Sequence, residues 1–192
     1  MILTHVVFDP HKNIGRAYNA FMERLEMNEW GLLIDDDIWL RTQPKWYAIC
    51  EAAIKAHGKE AGLITCVTNR IGCRHQRVKG SPKGDDIVSH IEFADKLYKK
   101  YGNKVVEINS SLSGMFMLTS KRAWELSGGF RSGFLGVDNN YCGRIRKAGF
   151  KTLVIPGLYV YHGYKREWKG ANNGKKKPEP RTDRQPEGRD LQ

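Results

Sequence analysis

A chain of 192 residues, 40% hydrophobic and 28% charged, can bury one sizeable core; this excludes long disordered scaffolds, collagen-like chains and small disulfide-stapled modules. The formal net charge of +11 suits a polyanionic partner, a nucleic acid or the diphosphate of a small ligand, as well as a plain basic surface. No apolar run approaches a bilayer span, and the start MILTHVVFDP lacks the basic residues and small-residue cleavage site of a secretory signal. The expectation is a cytoplasmic protein with no stable membrane insertion.

The segment THVVF is β-branched and reads as a strand. In NIGRAYNAFMERLEMNEW, residues Ile14, Ala17, Tyr18, Phe21, Met22 and Leu25 recur at three- and four-residue steps, so one helix face is apolar, with Asn13 where an N-cap belongs. WGLLI follows as a fully apolar strand that runs straight into Asp35, Asp36 and Asp37. Pro44 to His57 predicts a second helix, ended by Gly58, and GLITCVT a buried strand. Asn69 to Asp86 has no periodicity and reads as a long basic surface loop, functional or mobile. A third helix is expected over Ile87 to Tyr101, then strands VVEI and SGMFMLT, and a short helix KRAWEL capped by Ser120. The loop GFRSGFLGVDNN leads into helix YCGRIRKAG, with Gly149 at the left-handed terminal position. Two strands, KTLVI and LYVYH, separated by Pro156-Gly157, complete the pattern. Strands alternating with amphipathic helices define an α/β fold with a mainly parallel sheet.

Cys50, Cys66, Cys73 and Cys142 form no CxxC pair and read as reduced, mostly buried thiols. A zinc site of Cys66, Cys73 and His75 matches no common spacing. From Gly163 onward nine Lys or Arg face five Asp or Glu, leaving +7 for the first 162 residues. The organisation expected is therefore a single domain over 1–163 and a basic flexible tail over 164–192.

Three carboxylates at the exit of a buried strand repel one another unless a cation joins them. Alternate residues of an extended backbone point the same way, so Asp35 and Asp37 can face one divalent ion while Asp36 points elsewhere. Strand carboxyl ends are also where open α/β sheets bind ligands. Asp138 follows a Gly-rich loop at a helix start, where it serves either as a cap or as a general base. His162 ends an apolar strand, and nothing local separates a structural role from a ligating one.

The order of these pieces resembles the family 2 glycosyltransferases, which have the GT-A fold, a three-layer α/β/α sandwich. NIGRAYN is similar to the family's N-x-G-x-x-x-N helix start, LLIDDD to its strand-end DxD motif, and GGF…GVDNN…RIRKAGFK…VYH to its acceptor-side loop, helix and metal-side His. The resemblance covers about residues 13 to 163. It implies inverting transfer of a sugar from a nucleoside diphosphate, UDP by preference, to the hydroxyl of a glycan or other acceptor. It implies that Asp35, Asp37 and His162 hold Mn²⁺ or Mg²⁺, and that Asp138 is the catalytic base. Asn13, Gly15, Asn19, Asp35, Asp36, Ser113 and Gly114 would then bind the nucleotide-sugar. Val137 and Asn140 stand where the family has further acids, and only about a dozen residues precede NIGRAYN, where it has a strand–helix–strand. The expectation there is a compressed N-terminal unit or a fragment. Alternative readings are a basic nucleic-acid-binding protein, a glycosyltransferase-like fold acting on modified nucleic acid, and a metal-dependent nucleotidyltransferase.

Overall fold

The computed structural model describes residues 1–163; the basic segment 164–192 lies outside the described residues. In chain order the elements are β1 (Ile2–Val6), α1 (Ile14–Met22), β2 (Trp30–Ile34), β3 (Ile38–Trp39), a 3₁₀ turn (Leu40–Thr42), α2 (Trp46–His57), β4 (Ala61–Thr68), α3 (Ile87–Tyr101), β5 (Val106–Glu107), β6 (Phe116–Ser120), α4 (Lys121–Leu126), α5 (Val137–Lys147) and β7 (Lys151–His162). Local chemistry explains many of the boundaries. Asn13 accepts from the Arg16 amide at the start of α1, Asp86 from those of Val88 and Ser89 at the start of α3, and Ser120 from that of Ala123 at the start of α4. Gly149, at φ +84°, follows α5 as expected. Helix α1 is shorter than its apolar stripe: the chain tightens after Met22, where Leu25 N–H bonds the Met22 carbonyl, yet Leu25 is still buried.

Among the described residues, the strands form one seven-stranded sheet in the order β1-β2-β6-β4-β7-β3, with β5 also on β7. It is mixed rather than mainly parallel. Two of the six pairings, β1–β2 and β4–β7, are parallel, and the other four are antiparallel. Strand β6 is the reason: it lies antiparallel between β2 and β4. Strands β1, β2, β4 and β7 therefore still share one direction, and their carboxyl ends gather at one edge of the sheet.

KTLVI and LYVYH are one strand, not two. The β4 register steps from Cys66↔Ile155 to Val67↔Tyr159, so a bulge at Pro156–Leu158 takes up the extra residues. The far edge of β7 has different partners on either side of that bulge, β5 before it and β3 after it. Proline, with no N–H to donate, falls between the two ladders. Apolar clusters cover both faces of the sheet. One contains Tyr18, Met22, Leu33, Ala123, Tyr141 and Ile145; the other is built on Trp30, Leu32, Ile49, Ala53, Ile64 and Leu118. Helices α1, α4 and α5 thus lie over one face and α2 over the other. Among the described residues, no helix is long and apolar enough to cross a membrane.

Candidate metal centre and cavity

Strand β2 is buried along its whole length and its ladder to β6 continues one residue further, Asp35 N–H bonding the Met115 carbonyl at 3.2 Å. This fixes the backbone of Asp35 at the strand end. The chain then turns, Ile38 N–H returning to the Asp35 carbonyl, and enters β3 against the end of β7 with Ile38 opposite His162. Gly163 N–H bonds the Asp37 carbonyl at 3.0 Å. Short as it is, β3 carries Asp37 to His162, and their Oδ1 and Nε2 atoms lie 3.1 Å apart.

One ligand atom from each of Asp35, Asp37 and His162 lies within 4.8 Å of the others. The chemistry of the set fits a divalent cation. His162 Nδ1 is 2.7 Å from the Arg70 carbonyl, which can only accept, so Nδ1 carries the proton. In the neutral ring Nε2 then presents a lone pair to the Asp37 carboxylate, an opposition that a proton or a cation between them relieves. Two carboxylates and one imidazole suit Mn²⁺ or Mg²⁺ better than a thiolate-seeking metal. Asp35 feels the same crowding. Burial first, then the charges of Asp37, Asp36 and Asp138, push its pKa up to about 6 against the opposing pull of His162.

The cluster forms part of the wall of a cavity of about 600 Å³. Asp36, Ser113, Gly114 and Asp138 line it as well, so seven sequence-predicted residues share one site. Asp138 is in the first turn of α5, set by Gly136 at φ +68°. Its Oδ2 accepts from Gly114 N–H at 2.9 Å and its Oδ1 from Asn139 N–H at 2.8 Å. A Cβ on Gly114 would stand 3.1 Å from that of Asp138, so a small residue belongs there.

Asn13, Gly15 and Asn19 are placed differently. They do not line the cavity; α1 contributes Ile14 and Tyr18 instead. Asn13 bonds Ser132 and the Gly133 amide, and Asn19 bonds both backbone groups of Phe130 and the Trp124 indole. A Cβ on Gly15 would sit 1.9 Å from the Arg131 carbonyl oxygen. All three dock the 128–136 loop onto α1, which sets the rim of the cavity where Phe134 and Leu135 stand exposed. The zinc arrangement does not form either: Cys66 is buried in the cluster on one face of the sheet and Cys73 packs against the other.

Two further residues, absent from the motifs, hold the site together. Asn69, just past β4, accepts from His162 N–H at 2.9 Å and donates to its carbonyl at 3.3 Å. Gln76, wholly buried, makes the same two-way pairing with Ser113, at 2.7 and 3.1 Å, and bonds Thr65. At its far end the loop is held by His90, whose Nε2 lies 3.0 Å from the Gly84 carbonyl. The long basic loop is thus built into the site. Groups that hydrogen-bond a ligating side chain are typically worth ~10–100-fold in metal affinity; Asn69 acts one step further back, through the His162 backbone. Asn69→Ala is expected to weaken Mn²⁺ binding toward the lower end of that range, ~10-fold or less, measured by calorimetric titration, with the helical content unchanged.

No protein-family model matches the chain, and no curated protein matches it.

Proposed function

We propose that the protein is a divalent-metal-dependent glycosyltransferase that moves a sugar from a nucleoside diphosphate, UDP by preference, to an acceptor hydroxyl with inversion. The observation that carries this reading is the grouping of Asp35, Asp37 and His162 in one cavity with Asp138. Residues 35 and 162 are far apart in the sequence, and a core histidine or a solvated acidic run does not require them to meet. The cavity volume falls within the ~300–1,000 Å³ typical of small-ligand sites.

In the proposed reaction Asp138 takes the proton of the acceptor hydroxyl, and its two backbone donors keep the carboxylate aimed. The acceptor oxygen bonds the anomeric carbon as the bond from that carbon to the diphosphate oxygen breaks. A metal bound by Asp35, Asp37 and His162 would supply positive charge for the departing diphosphate. Ser113 and Gly114 line the same cavity and border the space for the donor. A nucleic-acid-binding role leaves this concentration of carboxylates without a purpose, because they would repel a phosphate backbone.

The test is titration of UDP into the wild type and Asp37→Ala, with and without Mn²⁺. Binding is expected only when both the metal and Asp37 are present. GDP and dTDP controls identify a different carrier. Failure of all three nucleotides, together with salt-dependent binding of DNA or RNA without metal, would overturn the reading in favour of nucleic acid.

A further inference from the structure

Beside the acidic cavity lies a second one of about 450 Å³ with the opposite character. Cys73, Arg74, His75, Ser110, Ser111 and Asn139 line it, and Gly72 and Ser113 belong to both cavities. Among the described residues, no carboxylate is in this lining. Arg74 Nε donates to His75 Nε2 at 3.3 Å, so the proton of the neutral imidazole is on Nδ1. The wall therefore offers a guanidinium, a ring N–H, the hydroxyls of Ser111 and Ser113 and an amide.

That wall is built rather than incidental. Four consecutive carbonyls, from Ser110 to Ser113, are each held by a side chain. Arg146 Nη1 bonds Ser110 at 2.9 Å, Cys73 Sγ bonds Ser111 at 3.5 Å, Cys142 Sγ bonds Leu112 at 3.6 Å and Gln76 Nε2 bonds Ser113 at 3.1 Å. With its carbonyls engaged, the segment contributes hydroxyl groups to the cavity. The Ser110 hydroxyl oxygen is itself closed off from the cavity, so the hydroxyls available to a ligand are those of Ser111 and Ser113. Adjacent residues of α5 then divide between the two spaces, Asp138 in the acidic cavity and Asn139 in the second.

We propose that the second cavity is the anion subsite of the acceptor: it holds the phosphoryl group of a small hydroxylated phosphate monoester while that molecule's hydroxyl reaches Asp138. The inference rests on the glycosyltransferase reading for the role of Asp138, and on the cavity's own lining for the anion. Charge sorts the two ends of the acceptor. Asp35, Asp36, Asp37 and Asp138 repel a phosphoryl group from the first cavity, and the donor-rich wall with Arg74 attracts it to the second.

Inorganic phosphate is the first probe, titrated into the metal-free protein and followed by amide chemical shifts, in the wild type and Arg74→Gln. Arg74 is exposed, so the substitution leaves the fold intact. Saturable shifts at Gly72, His75 and Ser111 are expected, with affinity at least five-fold weaker in Arg74→Gln. No saturable shift there, or equal affinity in the two proteins, overturns the subsite. In turnover, glycerol 3-phosphate and glucose 6-phosphate are expected to outperform glycerol and glucose. Arg74→Gln should erase that preference through KM with kcat little changed. A preference that survives in Arg74→Gln, or none in the wild type while UDP and Mn²⁺ still bind, defeats this inference alone. Loss of Mn²⁺-dependent UDP binding in the wild type defeats the glycosyltransferase reading, and the acceptor role with it.

Discussion

Asp35→Asn is expected to make the cation-free protein more stable at pH 7 and to abolish its stabilisation by Mn²⁺. The carboxylate is only partly exposed and stands among three others, and its pKa is pushed up to about 6 from an ordinary 3.8. A raised carboxylate pKa means that the folded state binds the proton more tightly than the unfolded one. The charged form therefore costs stability above the folded pKa, and the cost disappears as pH falls through 6 toward 4. The rise from 3.8 to about 6 corresponds to roughly 3 kcal/mol; water at the open cavity reduces this to about 1–2 kcal/mol. Asparagine removes the charge at nearly constant shape. Thermal unfolding without metal should shift upward by a few degrees, and the wild type alone should gain stability between pH 7 and pH 5.

Excess Mn²⁺ reverses the order of the two proteins. A cation present at a hundred times its dissociation constant stabilises the folded state by ~2.7 kcal/mol, and the wild type should rise by that amount while Asp35→Asn does not. A variant that is less stable than wild type without metal would show that the Asp35 charge already has a compensating partner. A variant that keeps the full Mn²⁺ response would remove Asp35 from the ligand set.

The pieces of this site differ in how legible they are in the sequence. Asp35 and Asp37 stand out because an apolar strand that runs into three acids is locally inconsistent, and such conflicts concentrate at functional positions. The Ser120 cap, Gly149 and the stripe of α1 follow from rules that act within one or two helical turns. The partner of a strand is decided elsewhere in the chain. Two residues, Ile38 and Trp39, carry too little pattern to announce β3, yet their pairing with Tyr161 and His162 closes the metal group. The antiparallel insertion of β6 and the bulge that makes β7 continuous are likewise products of neighbours, not of local propensity. NIGRAYN shows the converse: its asparagines and glycine are visible, but their work is to dock a loop. For Asn69 a signal existed, since a polar residue directly after a fully buried strand sits at the edge where the other strands end. Gln76 had none, because only the folded loop shows that it is wholly buried.

Asp138→Asn is expected to lower turnover by ~10²–10⁴-fold, the usual contribution of a general base, and to leave Mn²⁺-dependent UDP affinity equal or slightly tighter. The slight gain follows from charge: removing one carboxylate from the cavity lessens the repulsion of the anionic UDP. The substitution is not silent structurally. Asparagine can keep one of the two backbone bonds, but its NH₂ must then meet the other N–H, at Gly114 or Asn139. The loss of one such bond costs about 1 kcal/mol, enough to loosen Ser113–Gly114 but not to unfold the chain. Asp138→Glu separates the two effects, because it restores a carboxylate at the wrong reach. Recovery of part of the turnover by Glu but not by Asn assigns the loss to the missing base. Equal loss in both variants with normal UDP binding assigns it to geometry around Gly114. Full turnover in Asp138→Asn would mean that the proton leaves by another route and that Asp138 is only the clasp that joins the start of α5 to the approach to β6.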